Sequence, residues 1–326
     1  MRFTKNWKKS RLREVLRAVG DLLLPRVCLT CGRHLGVHEN HLCLSCEADL
    51  PLTYYWLHAH NPLADRFNAV LERHRGTEPM DYAYAVALLH YKGPYRQIPR
   101  ALKYHGNLAA GRHFGSMLGR RIATSPHLAD IDLIIPVPLH WTRLRTRGYN
   151  QADILARALA ASLNATRPLA SNASLIPGVM IDGRSESAMT GRNVSDMAAS
   201  VIPGVGSPVM SGTPASVIPG VTGNLPVAAC RTDLLVRARR TRTQTRLTVE
   251  QKAQNVASAF RVPSGPRRET SARKALASAR HILLVDDTYT TGATLYACYA
   301  ALRPYTSARI SIATLAAVEG TPSAGP

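Results

Sequence analysis

The sequence predicts an α/β protein with a parallel central sheet, preceded by a small cysteine-rich module. The sheet is predicted by short apolar runs typical of buried strands, of which the clearest are followed by a polar turn and a helical pattern. The module is predicted by two Cys-x2-Cys pairs that lie close together near the amino terminus. A chain of 326 residues is long enough for one large domain with such an attachment.

The charge of the chain indicates the class of its partners. With 41 Lys and Arg against 21 Asp and Glu, the formal net charge is +20. Such a charge favours nucleotides, phosphorylated sugars, nucleic acid or an anionic membrane surface. No run of about 18 uncharged apolar residues predicts a transmembrane segment. We therefore expect a cytoplasmic protein without a membrane span.

The first two segments of the chain are expected to be an entry helix and a metal module. Residues 1–24 are basic and have amphipathic helical spacing, which predicts a helix that packs beneath the module; a role at a membrane surface is the alternative. The apolar positions of this helix are interrupted by charges, which argues against a secretory signal.

Residues 25–52 hold the cysteine module. Two tight turns can direct four thiolates to one point and supply a closed tetrahedral zinc site without a catalytic water. Zinc should hold this small module together, because the module has few apolar residues of its own. A redox dithiol is the less specific alternative. The predicted ligands are Cys28, Cys31, Cys43 and Cys46.

The α/β domain is expected to span residues 80–318. Strand-like patterns occur at 81–92, 131–137, 234–237, 257–262, 281–285 and 309–315. The stretch 98–121 has helical spacing, and a polar loop and a helix at 150–163 follow the second strand. A further helix after Gly292 is predicted to connect the last two strands.

An insertion is predicted to interrupt this domain at 166–228. The segment has no Phe, Tyr or Trp but contains seven Pro and eight Gly, so it has little to bury. A phrase of the type Ile-Pro-Gly-Val occurs in it three times at uneven intervals, which does not fit a solenoid repeat. We expect this segment to be a low-complexity, mostly disordered loop.

The segment 282–294 carries the most specific chemistry. Its apolar run ends at two carboxylates, and a Thr- and Gly-rich turn then opens a helix. N–H groups at a helix N-terminus can hold a phosphate together with nearby hydroxyls, and a glycine lets the anion approach the backbone. The carboxylates repel phosphate but can accept hydrogen bonds from ribose hydroxyls.

This pattern predicts a phosphoribosyl diphosphate loop of the kind found in type I phosphoribosyltransferases. Its predicted ligand residues are Asp286, Asp287, Thr288, Thr290, Thr291, Gly292, Ala293 and Thr294. A capped helix after a buried strand, with no ligand, is the alternative.

With these motifs in place, the chain resembles the ComF family of competence-associated proteins, which pair a cysteine zinc module with a phosphoribosyltransferase-like domain. The resemblance covers nearly the whole chain outside the insertion and rests on the four cysteines, the loop and several short motifs. These motifs are Leu102-Lys103-Tyr104, 135–140, 147–152, 235–237, 243–244, 254–256 and 259–260.

The resemblance implies a phosphoribosyltransferase fold that binds phosphoribosyl diphosphate, or a related ribose phosphate, together with Mg²⁺. It implies that Asp286 and Asp287 grip the ribose and that Arg147 assists the diphosphate, and it implies a basic mobile loop at 237–246. Two functions follow: a binding or assembly factor in DNA uptake, with single-stranded DNA and competence-machinery proteins as partners, or an active Mg-dependent phosphoribosyltransferase in nucleotide metabolism.

Overall fold

A computed structural model describes residues 26–74, 82–172, 225–238 and 259–319. The entry helix expected at 1–24, most of the inserted segment and most of the basic loop at 237–246 lie outside the described residues. Among the described residues, no helix is both long enough and apolar enough to cross a membrane.

The described residues form a five-stranded parallel sheet with helices on both faces. The strands are β1 (Ala85–His90), β2 (Leu133–Pro136), β3 (Ala229–Cys230), β6 (His281–Tyr289) and β7 (Arg309–Ala317), and the order across the sheet is β1-β7-β6-β2-β3. A separate antiparallel pair consists of β4 (Val236–Arg237) and β5 (Phe260–Arg261). This arrangement confirms the predicted α/β class with a parallel central sheet.

The helices cover the sheet in two layers. They are α1 (Leu44–Ala48), α2 (Pro62–Arg73), α3 (Gln97–Tyr104), α4 (Leu108–Ala123), α5 (Trp141–Arg147), α6 (Gln151–Asn172), α7 (Pro266–Ser278) and α8 (Ala293–Leu302). Buried residues of α2, α7 and α8 pack on one face of the sheet. Buried residues of α4, α6 and the cysteine module pack on the other. The hydrophobic core therefore lies on both sides of a sheet whose strands are almost wholly buried, as is usual for parallel sheets.

Four features differ from the sequence expectations. The predicted helical stretch 98–121 is two helices, because Gly106 adopts a left-handed conformation (φ 64°) between them. The polar loop after β2 contains the short helix α5, which ends at Gly148, also left-handed (φ 79°). Three helices, α1, α2 and α7, and the strand β3 were not predicted from the sequence. Finally, α6 continues to Asn172 rather than ending near Leu163.

Two glycines let α4 and α6 pack closely. A Cβ on Gly115 would lie 2.8 Å from the carbonyl oxygen of Leu155, and one on Gly119 would lie 2.4 Å from that of Leu159. Real Cβ atoms essentially never come within 3.0 Å of such neighbours. Any larger residue at either position would therefore push apart the two helices that cover this face of the sheet.

Both ends of the segment assigned to the insertion belong to the described fold. Arg167 is buried and donates hydrogen bonds to the carbonyl oxygens of Pro226 and, at 2.8 Å, Ile131. Asn164 exchanges two hydrogen bonds with the backbone of Ala228, at 2.9 and 3.0 Å. These contacts attach the edge strand β3 to α6.

We therefore predict that residues 173–224 can be replaced by a short Gly/Ser linker with a shift in melting temperature of less than about 3 °C. The entropy of closing a connection changes by only about 0.6 kcal/mol per doubling of its length, so a shorter connection between Asn172 and residue 225 should change the stability little. Thermal denaturation of the purified variant is the measurement. Deleting 166–228 is the control, because it also removes Arg167 and Ala228 and should destabilise the fold. Equal losses of stability in the two variants would contradict the prediction.

Candidate functional site

The candidate site lies between two neighbouring strands, β2 and β6, whose following connections lead to opposite sides of the sheet. From β2 the chain passes through α6 to β3 on one side, and from β6 it passes through α8 to β7 on the other. Right-handed crossovers place α6 and α8 on opposite faces and leave a crevice beyond the carboxyl ends of β2 and β6. A cavity of about 320 Å³ occupies this position.

Two adjacent carboxylates form part of the cavity wall at the end of β6. Asp286 is partly exposed, and desolvation followed by repulsion from Asp287 raises the pKa of its carboxyl group well above the usual value. The side chain of Asp287 is only 7% exposed, and Lys103 Nζ lies 3.6 Å from its Oδ2. This buried Oδ2 has no hydrogen-bond partner among the described residues. Such an atom is costly unless a ligand or water satisfies it.

The turn after β6 has the geometry expected for an anion-binding loop. Gly292 caps α8 with a left-handed backbone (φ 80°), and no described side chain caps this helix. The first N–H groups of a helix lack intrahelical partners and carry the positive end of its dipole. Thr288, Thr290 and Thr294 line the cavity on the same side. The loop can therefore surround an anion with N–H and hydroxyl donors.

Four cationic side chains line the same cavity. Arg100 and Lys103 belong to α3, Arg143 belongs to α5, and Arg237 belongs to β4. Desolvation and then the nearby guanidinium of Arg143 lower the pKa of Arg237, so the two cations repel each other. Four cations against two carboxylates make the cavity suited to a ligand with more than one negative charge.

The structure brings together some of the predicted site residues and separates others. Asp286, Asp287 and the three threonines named above line the cavity, whereas Thr291 is exposed at the turn. Arg147 lies behind the wall, where its Nη1 donates a 2.7 Å hydrogen bond to Gln151 Oε1. Gln151 and Arg143 line the cavity themselves. Arg143 is thus the α5 arginine that lines the cavity, and Arg147 contacts the lining residue Gln151.

Replacing Gly292 with alanine should destabilise the protein more than the same replacement at Gly148. A Cβ at Gly292 would lie 2.5 Å from Tyr289 Oη, and the left-handed backbone already disfavours any side chain. Gly148 has nearly the same φ, but no described atom beyond its chain neighbours lies within 4 Å of such a Cβ. Gly148→Ala should therefore cost only the backbone strain, about 1 kcal/mol. Gly292→Ala should cost at least about twice as much, as measured by denaturant unfolding. Equal costs would contradict this reasoning.

The four predicted metal ligands converge at a second place. The Sγ atoms of Cys28, Cys31, Cys43 and Cys46 all lie within 4.8 Å of one another. Four thiolates about 2.3 Å from a tetrahedral zinc ion are about 3.8 Å apart, close to the 3.7 Å between Cys31 Sγ and Cys43 Sγ. The cluster can therefore hold a metal ion such as zinc.

The local backbone favours the thiolate form of Cys28, whereas burial and then the neighbouring thiols raise the pKa of Cys46. Gly32 follows the first pair with a left-handed conformation (φ 73°), as such a turn requires. Burial raises the pKa of Cys28, but backbone N–H groups, including that of Cys43 at 3.4 Å, outweigh this and lower the pKa to about 6. A deprotonated thiol is the form that ligates metal.

The fold is that of an α/β protein with a five-stranded parallel sheet and an amino-terminal cluster of four cysteines, which is consistent with a zinc module followed by a phosphoribosyltransferase-like domain. No protein-family model matches the chain. The chain is similar to Competence protein F of Haemophilus influenzae, with 27% identity over 139 residues. The match covers 41% of this chain and 58% of that protein, so it spans less than two thirds of the relative's length. These values support a distant ComF-like relationship.

Proposed function

We propose that the cavity at the ends of β2 and β6 binds phosphoribosyl diphosphate or a related ribose phosphate. The observation that carries the proposal is the buried Oδ2 of Asp287, which has no hydrogen-bond partner among the described residues and lies beside a donor-rich anion loop. A ribose hydroxyl would satisfy this oxygen. The 5′-phosphate would then lie at the N-terminus of α8.

The diphosphate would lie on the other side of the ribose. The loop 137–139 follows β2 and lines the cavity together with Arg143 and Arg237. Guanidinium groups make strong, often bidentate hydrogen bonds to phosphate, and a diphosphate between these two cations would relieve their repulsion. Magnesium belongs to this proposal only as the counterion that neutralises the diphosphate.

For the cellular role, we propose a ComF-like factor in DNA uptake during natural transformation, acting by binding or assembly. The similarity to Competence protein F supports this role, as does the net charge of +20, which favours contact with single-stranded DNA and other polyanions. Competence-machinery proteins would be its protein partners. In this proposal residues 25–52 are a structural zinc module, 80–318 are the ligand-binding domain, and the inserted segment interrupts it between α6 and β3.

Active phosphoribosyl transfer is a second candidate, favoured by the presence of acids, hydroxyls and cations in one cavity. The bond from the anomeric carbon to the diphosphate would break as a nitrogen nucleophile forms the new bond. Asp286 and Asp287 would hold the ribose, and Arg143 and Arg237 would stabilise the leaving diphosphate.

Calorimetry and a turnover assay test both candidates. Titration of the full chain with phosphoribosyl diphosphate and Mg²⁺ should give one site per chain. Release of diphosphate in the presence of a panel of nucleobases and amines would identify an enzyme, whereas binding without turnover would favour the binding factor. Failure to bind at low ionic strength would refute the proposed ligand.

A further inference from the structure

A second cavity adjoins the proposed phosphate site. Its volume is about 570 Å³, and it lies between α5, the start of α6 and β4. Pro138, Leu139 and Arg237 belong to the walls of both cavities. A ligand held at this shared wall can therefore extend into either space.

The second cavity has the lining of a site for a flat aromatic group. Its apolar wall includes Trp141, Leu144, Ile154, Leu235 and Val236. The cavity is in the usual size range for small-molecule sites, which combine apolar walls with a few polar groups. Trp141 is 57% exposed although it is the largest apolar side chain on this wall. An indole ring left exposed beside an apolar cleft is well suited to stack on another ring.

Polar groups in the cleft match the edge of a nucleobase. Asp153 lies on the wall, where Arg157 Nε donates a 2.7 Å hydrogen bond to its Oδ1. A carboxylate has further acceptor capacity, which an exocyclic amino group can use. Thr232 and Asn150 also line the cleft. Because the Asp153 carboxylate can only accept, a base that carries an amino group fits it better than one that carries only carbonyl oxygens.

The arginine side chains near the shared wall indicate that the ligand carries phosphate groups as well as an aromatic ring. Arg143 and Arg237 are close enough for the first to lower the pKa of the second. Arg145 is also on α5, with its guanidinium carbon 4.9 Å from the centre of the Trp141 ring. An aromatic group stacked on Trp141 would therefore lie near the guanidinium group of Arg145, with Arg237 on the same cavity wall, as in sites that hold a base and its phosphates together.

We infer that the second cavity binds the base of a nucleoside diphosphate whose phosphates reach Arg237 at the shared wall and Arg143 in the first cavity. This inference rests on the proposed function in one respect: both place a diphosphate beside Arg143 and Arg237. It predicts that a nucleotide and phosphoribosyl diphosphate compete, because each places its diphosphate at this wall.

The test is calorimetry on the full, metal-loaded chain with ADP as the probe. ADP should bind at one site, displace phosphoribosyl diphosphate and bind several-fold more tightly than UDP, which lacks the amino group. Trp141→Ala should weaken ADP binding about tenfold, the effect expected for loss of one stacked base. Trp141→Phe, which keeps a ring, should retain most of the affinity. Both variants should bind phosphoribosyl diphosphate within about twofold of the parent.

A matched control is Tyr82→Ala, which removes a partly exposed aromatic ring elsewhere on the protein and should leave ADP affinity unchanged. The inference fails if phosphoribosyl diphosphate binds and ADP does not, or if Trp141→Ala weakens both ligands equally. It also fails if a short single-stranded oligonucleotide binds far more tightly than ADP with the same dependence on Trp141. If ADP binds in this pattern and phosphoribosyl diphosphate does not, the proposed function fails and the inference stands.

Discussion

Replacing both Asp286 and Asp287 with asparagine is expected to weaken the binding of phosphoribosyl diphosphate by at least about a hundredfold. Each carboxylate is proposed to accept a hydrogen bond from a ribose hydroxyl, and hydrogen bonds to charged groups contribute about 1.5–3 kcal/mol each. Two such losses correspond to about a hundredfold or more, since every 1.4 kcal/mol is a factor of ten. Calorimetry at pH 7.5 with Mg²⁺ is the measurement.

Asp286→Asn alone should leave the protein folded and make it more stable at neutral pH, because Asp287 and its ion pair with Lys103 stay in place. The pKa of Asp286 is raised in the folded state, so the stability associated with its protonated form is lost as the pH rises through that raised pKa. An asparagine side chain at this position cannot ionise and avoids this loss. The difference in melting temperature between Asp286→Asn and the parent should therefore be small near pH 4 and increase towards pH 8.

Asp233→Asn provides a control, because the pKa of Asp233 is shifted in the opposite direction to that of Asp286. Hydrogen bonds from Arg231 lower the pKa of Asp233, whose side chain is 62% exposed. Its removal should cost little, because exposed ion pairs contribute about 0–1 kcal/mol.

Unchanged ligand affinity in the double variant would refute the assignment of the acid pair. A parent that gains stability relative to Asp286→Asn as the pH rises would refute the account of the raised pKa.

The sequence predicted the elements whose signals are local. Apolar runs such as Ile282–Val285 located the main strands, and the acid pair and Gly292 located the loop after β6. The left-handed backbone of Gly292 and its close approach to Tyr289 explain in retrospect why a glycine stands there. These features depend on neighbours in the chain, so a single sequence can reveal them.

Other parts of the site depend on contacts between distant residues. Lys103 reaches Asp287 only because α3 packs beside the end of β6. Arg237 lies near Arg143 because the short strand β4 lies beside α5. A strand of two residues has no periodic pattern of apolar residues from which it could be predicted. Among three arginines spaced by two in one short helix, sequence reasoning chose Arg147. Helical spacing alone cannot tell which of them faces a cavity, and Arg143 is the one on the wall.

The electrostatics of the cavity indicate a trade-off between stability and binding. Two carboxylates repel each other at the end of β6, and two guanidinium groups repel each other across the neighbouring wall. The repulsion between the carboxylates opposes the ionisation of Asp286 in the folded state. A ligand with hydroxyls at one end and a diphosphate at the other would compensate both, so binding should raise the melting temperature.

The second large effect is expected at the cysteine cluster, where Cys43→Ser should remove zinc and lower the melting temperature by about 10 °C. Purified parent protein should contain one zinc per chain, because the four Sγ atoms lie close enough to share one tetrahedral ion. The binding free energy of a structural zinc ion is also folding free energy for the module that holds it. A loss of about 3 kcal/mol corresponds to about 10 °C for a domain of this size.

This loss should extend beyond the module because the module is part of the core. Cys28, Cys43, Leu35 and Leu42 belong to the same buried cluster as Trp56 and the helices that cover one face of the sheet. The module is also fixed by Tyr95, whose hydroxyl donates a 3.3 Å hydrogen bond to the carbonyl oxygen of Cys46. If the metal is lost, these apolar side chains lose their fixed positions and the face beneath them is exposed to water.

Cys230→Ser is the matched control for Cys43→Ser. Burial raises the pKa of the Cys230 thiol to about 11, so it is protonated at neutral pH, and it lies outside the four-cysteine cluster. This variant should keep one zinc per chain and melt within about 2 °C of the parent, since surface-proximal substitutions without a lost partner usually change stability by less than about 0.5 kcal/mol. Metal analysis and thermal denaturation of the reduced proteins distinguish the two variants. Full zinc content in Cys43→Ser, or equal destabilisation by both substitutions, would show that the cluster does not hold the module through a metal.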